Sequence, residues 1–122
     1  MKCKPILTVS ELLGRSVTNS QGDHLGRIED IVIDGPRGRV AYAVLSFGGF
    51  LGLGDRLHAI PWDVLVEDPQ SGCLLLDVDR EKLRQAPGFD KQHWPDMAND
   101  AWASEVNEYY GVEPYSGSKI RP

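Results

Sequence analysis

The chain has 122 residues, of which 41% are hydrophobic and 25% are charged, and its formal net charge is −5. This composition is typical of one soluble globular domain, and no run approaches the roughly 20 apolar residues that span a bilayer, so membrane insertion is not expected. The N-terminal sequence MKCKPILTVSELL lacks the long apolar core of a secretory signal, which favours the cytoplasm.

The charges are unevenly distributed along the chain. Residues 1–54 carry six Lys/Arg and five Asp/Glu, whereas residues 55–122 carry seven and thirteen. No basic stripe is present that could neutralise phosphates, so direct nucleic-acid binding is disfavoured. A protein partner is expected instead, with self-association as a dimer or higher oligomer as the first possibility.

Short elements are predicted at the start of the chain. Ser10 is predicted to cap a single helical turn that ends at Gly14. A short strand over residues 15–19 and a turn over residues 20–23 follow. The first long strand covers residues 24–34, where Gly26 marks a bulge or a close contact between backbones.

A hairpin is predicted at the centre of the chain. The sequence DGPRG at residues 34–38 combines a proline and two glycines, which favours a tight turn. The strand that follows, residues 39–47, is mostly apolar on both faces. It is therefore predicted to be central in the sheet or covered on both sides.

A glycine-rich segment, residues 48–54, interrupts the strands. Its sequence GGFLGLG is unsuited to a helix or a good strand, yet it contains Phe50, Leu51 and Leu53. It either folds back to cap the end of a barrel or forms an apolar tip that docks on a partner or on another copy. Phosphate binding is disfavoured, because the following run is strand-like and supplies no helix N-terminus.

The remaining strands are predicted over residues 56–61, 62–67 and 73–79. About six short strands separated by Gly, Pro and Asp turns predict a mainly β fold, a small antiparallel barrel or rolled-up sheet. Closure of the barrel would remove the open edges that invite aggregation. The predicted core consists of Val17, Leu25, Ile28, Ile31, Ile33, Val40, Tyr42, Val44, Leu57, Ile60, Val64, Leu74 and Leu76.

The chain is predicted to divide into a barrel domain, residues 8–80, and a C-terminal extension, residues 81–122, with two short helices and a mobile tail. Asp79 is predicted to cap the first helix, residues 80–85, and the second covers residues 99–110. Trp102, Val106 and Tyr109 lie on one face of the second helix, with Tyr110 alongside. This aromatic stripe packs either on its own barrel or on a neighbouring subunit.

No catalytic or metal-binding constellation is recognisable. Asp77 and Asp79 share a face of the predicted last strand, but Asp79 is better explained as a helix cap. The two cysteines, Cys3 and Cys73, and the three histidines are too widely spaced for a disulfide or a zinc site. Neither enzymatic activity nor a cofactor is expected.

Several segments together resemble the PRC-barrel family. They are LGRxV at residues 13–17, GDxLGxIxDxVID at 22–34, GRVAYAVLSFGG at 38–49, GD at 54–55 and IPW at 60–62. The family includes the cytoplasmic domain of the reaction-centre H subunit and the C-terminal domain of a bacterial ribosome maturation factor. The resemblance implies a small antiparallel β-barrel that acts as a docking module without a known catalytic site, and it supplies no functional residues to carry over.

The C-terminal sequences PGFD at 87–90, WPDM at 94–97 and YYG at 109–111 resemble free-standing bacterial members of that family. The chain shows neither the transmembrane helix of the H subunit nor the preceding domain of the ribosome factor. The functions of those two proteins are therefore not expected to transfer.

Together these patterns predict a non-catalytic interaction or assembly module that self-associates and whose partner is unknown. The candidate interface residues are Phe50, Leu51, Leu53, Trp102, Val106, Tyr109 and Tyr110. One alternative is a small-ligand or enzymatic site at a barrel end, which would require Asp30, Arg56 and His58 to converge on a closed cleft. Another is an accessory role in ribosome assembly, by analogy with the maturation factor.

Overall fold

The structure, a computed structural model, describes residues 7–48, 55–67 and 74–112. Within these ranges it contains six strands, three short helices and one 3-10 turn. The helices are α1 (Val9–Leu12), α2 (Arg80–Arg84) and α3 (Asp100–Tyr109). The strands are β1 (Ser16–Thr18), β2 (His24–Asp34), β3 (Arg39–Gly48), β4 (Asp55–Pro61), β5 (Leu65–Glu67) and β6 (Leu74–Leu76), and the 3-10 turn is Trp62–Val64.

The six strands form one mixed sheet in the order β4-β3-β2-β1-β6-β5. Neighbouring strands are antiparallel except β1 and β6, which run parallel, with Val17 opposite Leu74. The prediction of a mainly β, barrel-like fold is confirmed. The prediction that all strands are antiparallel is wrong for one pair, β1 and β6. These two strands can run parallel because a long connection, and not a hairpin, lies between them in the chain.

The sheet rolls up into a half-barrel without closing. Strands β4 and β5 are its two edges, and no ladder joins them in the part of the chain that the structure describes. The C-terminal extension covers part of the β4 edge: the Leu57 N–H donates to the Phe89 carbonyl at 2.8 Å, and the Phe89 N–H donates to the Leu57 carbonyl at 2.9 Å. Edge protection here thus comes partly from the extension and not from closure of the barrel.

Strand β3 separates two hydrophobic cores, as its two apolar faces predicted. One face contributes to an inner core within the rolled sheet, and the other to an outer core beneath the C-terminal extension. The inner core consists of Leu12, Val17, Leu25, Ile28, Ala43, Leu45, Phe47, Ile60, Leu74, Leu76 and Leu83. The outer core consists of Tyr42, Val44, Leu57, Ala59, Phe89 and Val106.

The helix caps follow local sequence signals. Asp79 caps α2 by accepting from the Lys82 N–H at 2.7 Å, as predicted. The cap of α1 is Thr8 and not Ser10: the Thr8 hydroxyl accepts from the Glu11 N–H, and the Glu11 carboxylate accepts from the Thr8 N–H at 2.9 Å. This reciprocal capping box satisfies two backbone donors, whereas Ser10 would satisfy one.

The prediction of the core is wrong at Ile33. Ile33 has 56% of its surface exposed, and Ile31, Val40 and Val64 are half-buried. Core residues that the strand pattern did not suggest come mostly from outside the strands. They include Leu12, Leu83, Ala86, Phe89 and Val106.

The last strands are shorter than predicted. The predicted strand 62–67 begins with the 3-10 turn, and β6 covers three residues of the predicted 73–79. Asp77 and Asp79 therefore do not share a strand face: Asp77 accepts from the Ser20 hydroxyl at 2.7 Å, and Asp79 caps α2. Both carboxylates have structural partners.

Candidate functional site

An exposed groove with a mostly apolar lining lies between the β2–β3 hairpin and the start of α3, with a volume of about 410 Å³. We call it the hairpin groove. Ile33 lies on its wall with more than half of its surface exposed. The groove is lined by Val32, Ile33, Asp34, Gly35, Pro36, Arg37, Ala41, Tyr42, Met97, Ala98, Asp100 and Ala103.

An irregularity in the hairpin lies next to Ile33. Val32 is opposite Tyr42, but Ile33 is opposite Val40, so Ala41 is left as an extra residue on β3. A bulge of this kind breaks the alternation of inward and outward side chains on the strand that carries the extra residue, here β3. Ile33 lies next to this bulge, near the hairpin turn, and is on the groove wall.

The charged side chains at one end of the groove neutralise each other. Arg37 forms an ion pair with Asp34 at 2.6 Å, and both side chains are largely buried. The Asp34 carbonyl also accepts from the Gly38 N–H at 2.8 Å, and Gly38 has a φ of +67°, which favours glycine. The hairpin tip is therefore a compact support for the groove.

Helix α3 forms the opposite wall and is held against the sheet by the aromatic stripe. Trp102 contacts Tyr42 edge to face with ring centroids 5.3 Å apart, and Val106 is buried in the outer core. Burial raises the pKa of the Tyr42 phenol, so its hydroxyl stays neutral. Of the two packing alternatives for the stripe, the structure shows contact with the chain's own sheet.

The other two candidate residues on α3 also contact their own chain. The Tyr109 hydroxyl donates to the Lys82 carbonyl at 2.5 Å, and its ring lies 5.3 Å from that of Tyr110. Burial raises the pKa of Tyr110 above its ordinary value. Trp102, Tyr109 and Tyr110 are half-buried, which leaves part of each ring at the surface.

The remaining candidate interface residues, Phe50, Leu51 and Leu53, lie outside the described residues.

The three groups of the alternative barrel-end site do not converge. Asp30 is opposite Val44, so it lies on the outer-core face of the sheet, and it is exposed. His58 is opposite Leu45 and is therefore on the inner-core face, where it is buried. Arg56 is exposed. Residues directly opposite each other share a face, so Asp30 and His58 point away from each other.

His58 connects the barrel to the C-terminal extension. Its Nδ1 lies 3.1 Å from the Pro87 carbonyl oxygen, which can only accept, so the neutral ring carries its proton on Nδ1. Its Nε2 is buried and has no hydrogen-bond partner among the described residues. A Cβ added to Gly88 would lie 2.9 Å from the His58 Cε1, so the extension also packs closely on the ring.

We expect the stability of the domain to fall as the pH drops below about 6.5, the ordinary pKa of histidine. Burial lowers the pKa of folded His58; the hydrogen bond to the Pro87 carbonyl opposes this shift in part, and the Arg56 charge adds to it. Between that lowered pKa and about 6.5, the unfolded chain binds more protons than the folded chain, so acid favours unfolding. Above this window the stabilisation is fully present.

Urea unfolding at several pH values across that window measures the effect. His58→Asn keeps a donor toward Pro87 but does not titrate, so its stability should depend less on pH than that of the wild type. His24→Asn changes an exposed histidine and serves as the control. Equal pH dependence in His58→Asn and the wild type would contradict the assignment.

Among residues 7–48, 55–67 and 74–112, no helix has both the length and the apolar character needed to cross a membrane. Over the same ranges, no three or more His, Cys, Asp or Glu side chains are placed so that they could hold a metal ion.

The groove could not be recognised from the sequence. Its walls come from residues 32–42 and 97–103, which are far apart in the chain. One signal was present: Met97 lies in the turn before α3, outside any predicted apolar helix face. An apolar side chain in such a segment commonly indicates packing against a neighbouring element.

Comparison with known proteins gives one family. A search of curated proteins found no match. The profile of the PRC-barrel domain matches residues 5–83, which is more than half of the chain and covers all six strands. With its rolled six-stranded sheet, the chain belongs to the PRC-barrel domain family.

Proposed function

We propose that this domain is a non-catalytic protein-interaction module that binds a second copy of itself. The supporting observation is the hairpin groove, where Ile33 is the most exposed large apolar side chain described. Exposing an isoleucine costs about 1.5–3 kcal/mol relative to burying it. A partner that covers the groove would recover much of this free energy.

The occupant we propose is the apolar segment 48–54 of the second copy. An apolar cavity of about 150 Å³ holds one benzene ring, and the groove measures about 410 Å³. It therefore has room for the Phe50 ring together with Leu51 or Leu53. The groove lining is mostly apolar, which suits an uncharged segment; among its charged residues Asp34 and Arg37 neutralise each other, and Asp100 lies at the α3 end.

The proposed interface continues along α3, whose first turn lines the groove. The surface parts of Trp102, Tyr109 and Tyr110 contribute to it, because aromatic rings are enriched at protein interfaces. Val106 supports the helix from the outer core and does not contact the partner. The acidic C-terminal half and the absence of a basic stripe in the sequence favour a protein partner over nucleic acid.

Analytical ultracentrifugation tests the proposal. Ile33→Asp places a charge in the groove and is expected to weaken self-association at least tenfold, since about 1.4 kcal/mol corresponds to a factor of ten. Val66→Asp is the matched control: Val66 is a strand residue with 51% of its surface exposed, but it lies on β5, at the far end of the sheet. A wild-type monomer, or equal weakening by both variants, would refute self-association through the groove.

Mixing two variants identifies the occupant. Ile33→Asp damages the groove but keeps the segment, whereas Phe50→Asp damages the segment but keeps the groove. If the segment of one copy occupies the groove of another, the mixture regains an intact pair and associates more strongly than either variant alone. No gain on mixing would contradict this occupant.

A further inference from the structure

The segment between α2 and α3 is held against the free edge of β4. We call it the strap, residues 87–94. The helices on either side of it have their own anchors, since Leu83 of α2 lies in the inner core and Val106 of α3 lies in the outer core. The strap can therefore leave β4 while both helices stay in place.

The strap is held on β4 by backbone pairing, by one aromatic ring and by His58. Leu57 and Phe89 exchange the two backbone hydrogen bonds of an antiparallel pair, at 2.8 and 2.9 Å. The Phe89 side chain is buried in the outer core, and the His58 Nδ1 donates to the Pro87 carbonyl at 3.1 Å. Of these contacts, the one made by His58 involves a group that titrates near neutral pH.

The His58 ring has no place for a second proton in the closed structure. It is 1% exposed, and its Nε2 is buried with no hydrogen-bond partner among the described residues. Because Nδ1 already donates to the Pro87 carbonyl, a second proton enters at Nε2, where it meets no acceptor. A buried cation with an unpaired donor is costly.

The elements packed against the ring bring no negative charge to it. On β4 itself, the charge of Arg56 disfavours a second positive charge nearby. From β3, the ring faces Leu45 and Phe47, which are uncharged. From α2, the Arg80 guanidinium lies 5.7 Å from the centre of the Phe47 ring, and it too is positive.

The charged groups of the strap are paired away from the ring. Asp90 pairs with His93 at 2.7 Å, Lys91 pairs with Glu29 at 3.5 Å, and all four residues are exposed. The strap residues that contact the ring, 87 and 88, are uncharged. In the described part of the chain, no carboxylate contacts either nitrogen of the ring.

We propose that the strap is acid-sensitive: protonation of His58 releases residues 87–94 from β4 while the six-stranded sheet stays folded. A Cβ added to Gly88 would lie 2.9 Å from the His58 Cε1 and 3.1 Å from its Nδ1, so the strap covers this edge of the ring. Its departure exposes that edge, and the adjacent Nε2, to water. Release also frees the N–H and carbonyl of Leu57, so the strap controls access to a strand edge that an extended segment can pair with.

Amide hydrogen exchange of the full chain, measured by NMR as protection factors, tests this proposal. Once the strap is open, His58 has its ordinary pKa of about 6.5, so the open state binds more protons than the closed state below that pH. Protection of the Leu57 and Phe89 amides is therefore expected to fall about tenfold between about pH 7.5 and about pH 5.5, as long as the closed ring stays neutral.

The Ile28 amide is the internal reference, because it donates to the Arg15 carbonyl at 3.0 Å and reports on opening of the sheet. At about pH 5.5, the Leu57 and Phe89 amides are expected to be less protected than Ile28. They are also expected to respond less to low concentrations of urea, because release of the strap exposes less surface than unfolding of the sheet.

Three variants separate His58 from the rest of the strap. His58→Asn keeps a donor toward Pro87 but does not titrate, so it is expected to remove the pH dependence of the two amides. His93→Asn is the matched control, because it changes an exposed histidine of the same strap and is expected to keep that dependence. Gly88→Ala is expected to lower the protection of both amides already at about pH 7.5, because its Cβ would press on the ring.

Equal protection and equal urea dependence of Leu57, Phe89 and Ile28 at about pH 5.5 would show that the strap opens only together with the sheet, and would overturn the proposal. So would the absence of pH dependence in the wild type, or its persistence in His58→Asn. If His58→Asn does not fold, His93→Asn decides: retained pH dependence supports the proposal, and its loss overturns it.

The acid-sensitive strap and the proposed self-association are independent. The strap shares no residue with the lining of the hairpin groove. Ile33→Asp is therefore expected to leave the pH dependence of the Leu57 and Phe89 amides unchanged. Either proposal can fail without the other.

Discussion

Replacing Gly26 with alanine is expected to lower the free energy of unfolding by about 3 kcal/mol, at the upper end of the cost of overpacking. A Cβ at this position would lie 2.2 Å from the Ser46 carbonyl oxygen and 3.2 Å from the Leu45 Cδ1. The oxygen belongs to the backbone of β3 and cannot rotate away. The β2–β3 ladder would have to separate where Arg27 faces Ser46.

Gly35→Ala is the control for this substitution. Gly35 lies in the β2–β3 turn, and a Cβ there would meet nothing within 4 Å. Its φ is not in the left-handed region, so alanine is tolerated and stabilises by about 0.4–1 kcal/mol through the unfolded state. Urea or thermal unfolding measures both variants, and similar stabilities for the two would show that the strands do not approach as closely as described.

The second large effect is expected for Leu83→Ala, which should destabilise the domain by about 2–5 kcal/mol, the range for a buried leucine. Leu83 has no exposed surface and belongs to the inner core together with residues of β1, β2 and β3. Its helix, α2, has five residues and is too short to be stable alone. Its stability therefore depends on the burial of Leu83 in the half-barrel.

Leu13→Ala removes the same atoms from a leucine that is 44% exposed, next to the end of α1. It is expected to cost less than Leu83→Ala by at least about 1.5 kcal/mol, because less of its surface leaves water on folding. Denaturant unfolding of both variants gives the comparison. If Leu83→Ala costs no more than Leu13→Ala, α2 does not contribute to the inner core.

The contribution of Leu83 also concerns the boundary between barrel and extension. The boundary predicted at residue 80 separates the strands from α2, yet the inner core includes a residue of that helix. The outer core likewise includes Phe89 and Val106. The extension thus contributes to the cores on both faces of the sheet.

Local sequence signals predicted the elements whose formation depends on neighbouring residues. The bounds of β2 and the start of β3 follow from β-branched runs that end at a proline- and glycine-containing turn. Asp79 and Asn99 cap their helices because their side chains accept backbone N–H groups three residues later. The capping box at Thr8 and Glu11 was equally local, and its spacing could have been recognised in the sequence.

What the sequence by itself determined is therefore a mainly β domain with a central apolar hairpin, together with the resemblance to its family. The tertiary structure decided which distant segments meet: the parallel pairing of β6 with β1 brings Arg80 to His24, 56 positions away in the chain. It also decided the exposure of Ile33, a residue that the strand pattern had placed in the core. Both depend on how strands pair, and pairing is set by the burial of the whole sheet, not by the residues next to each site.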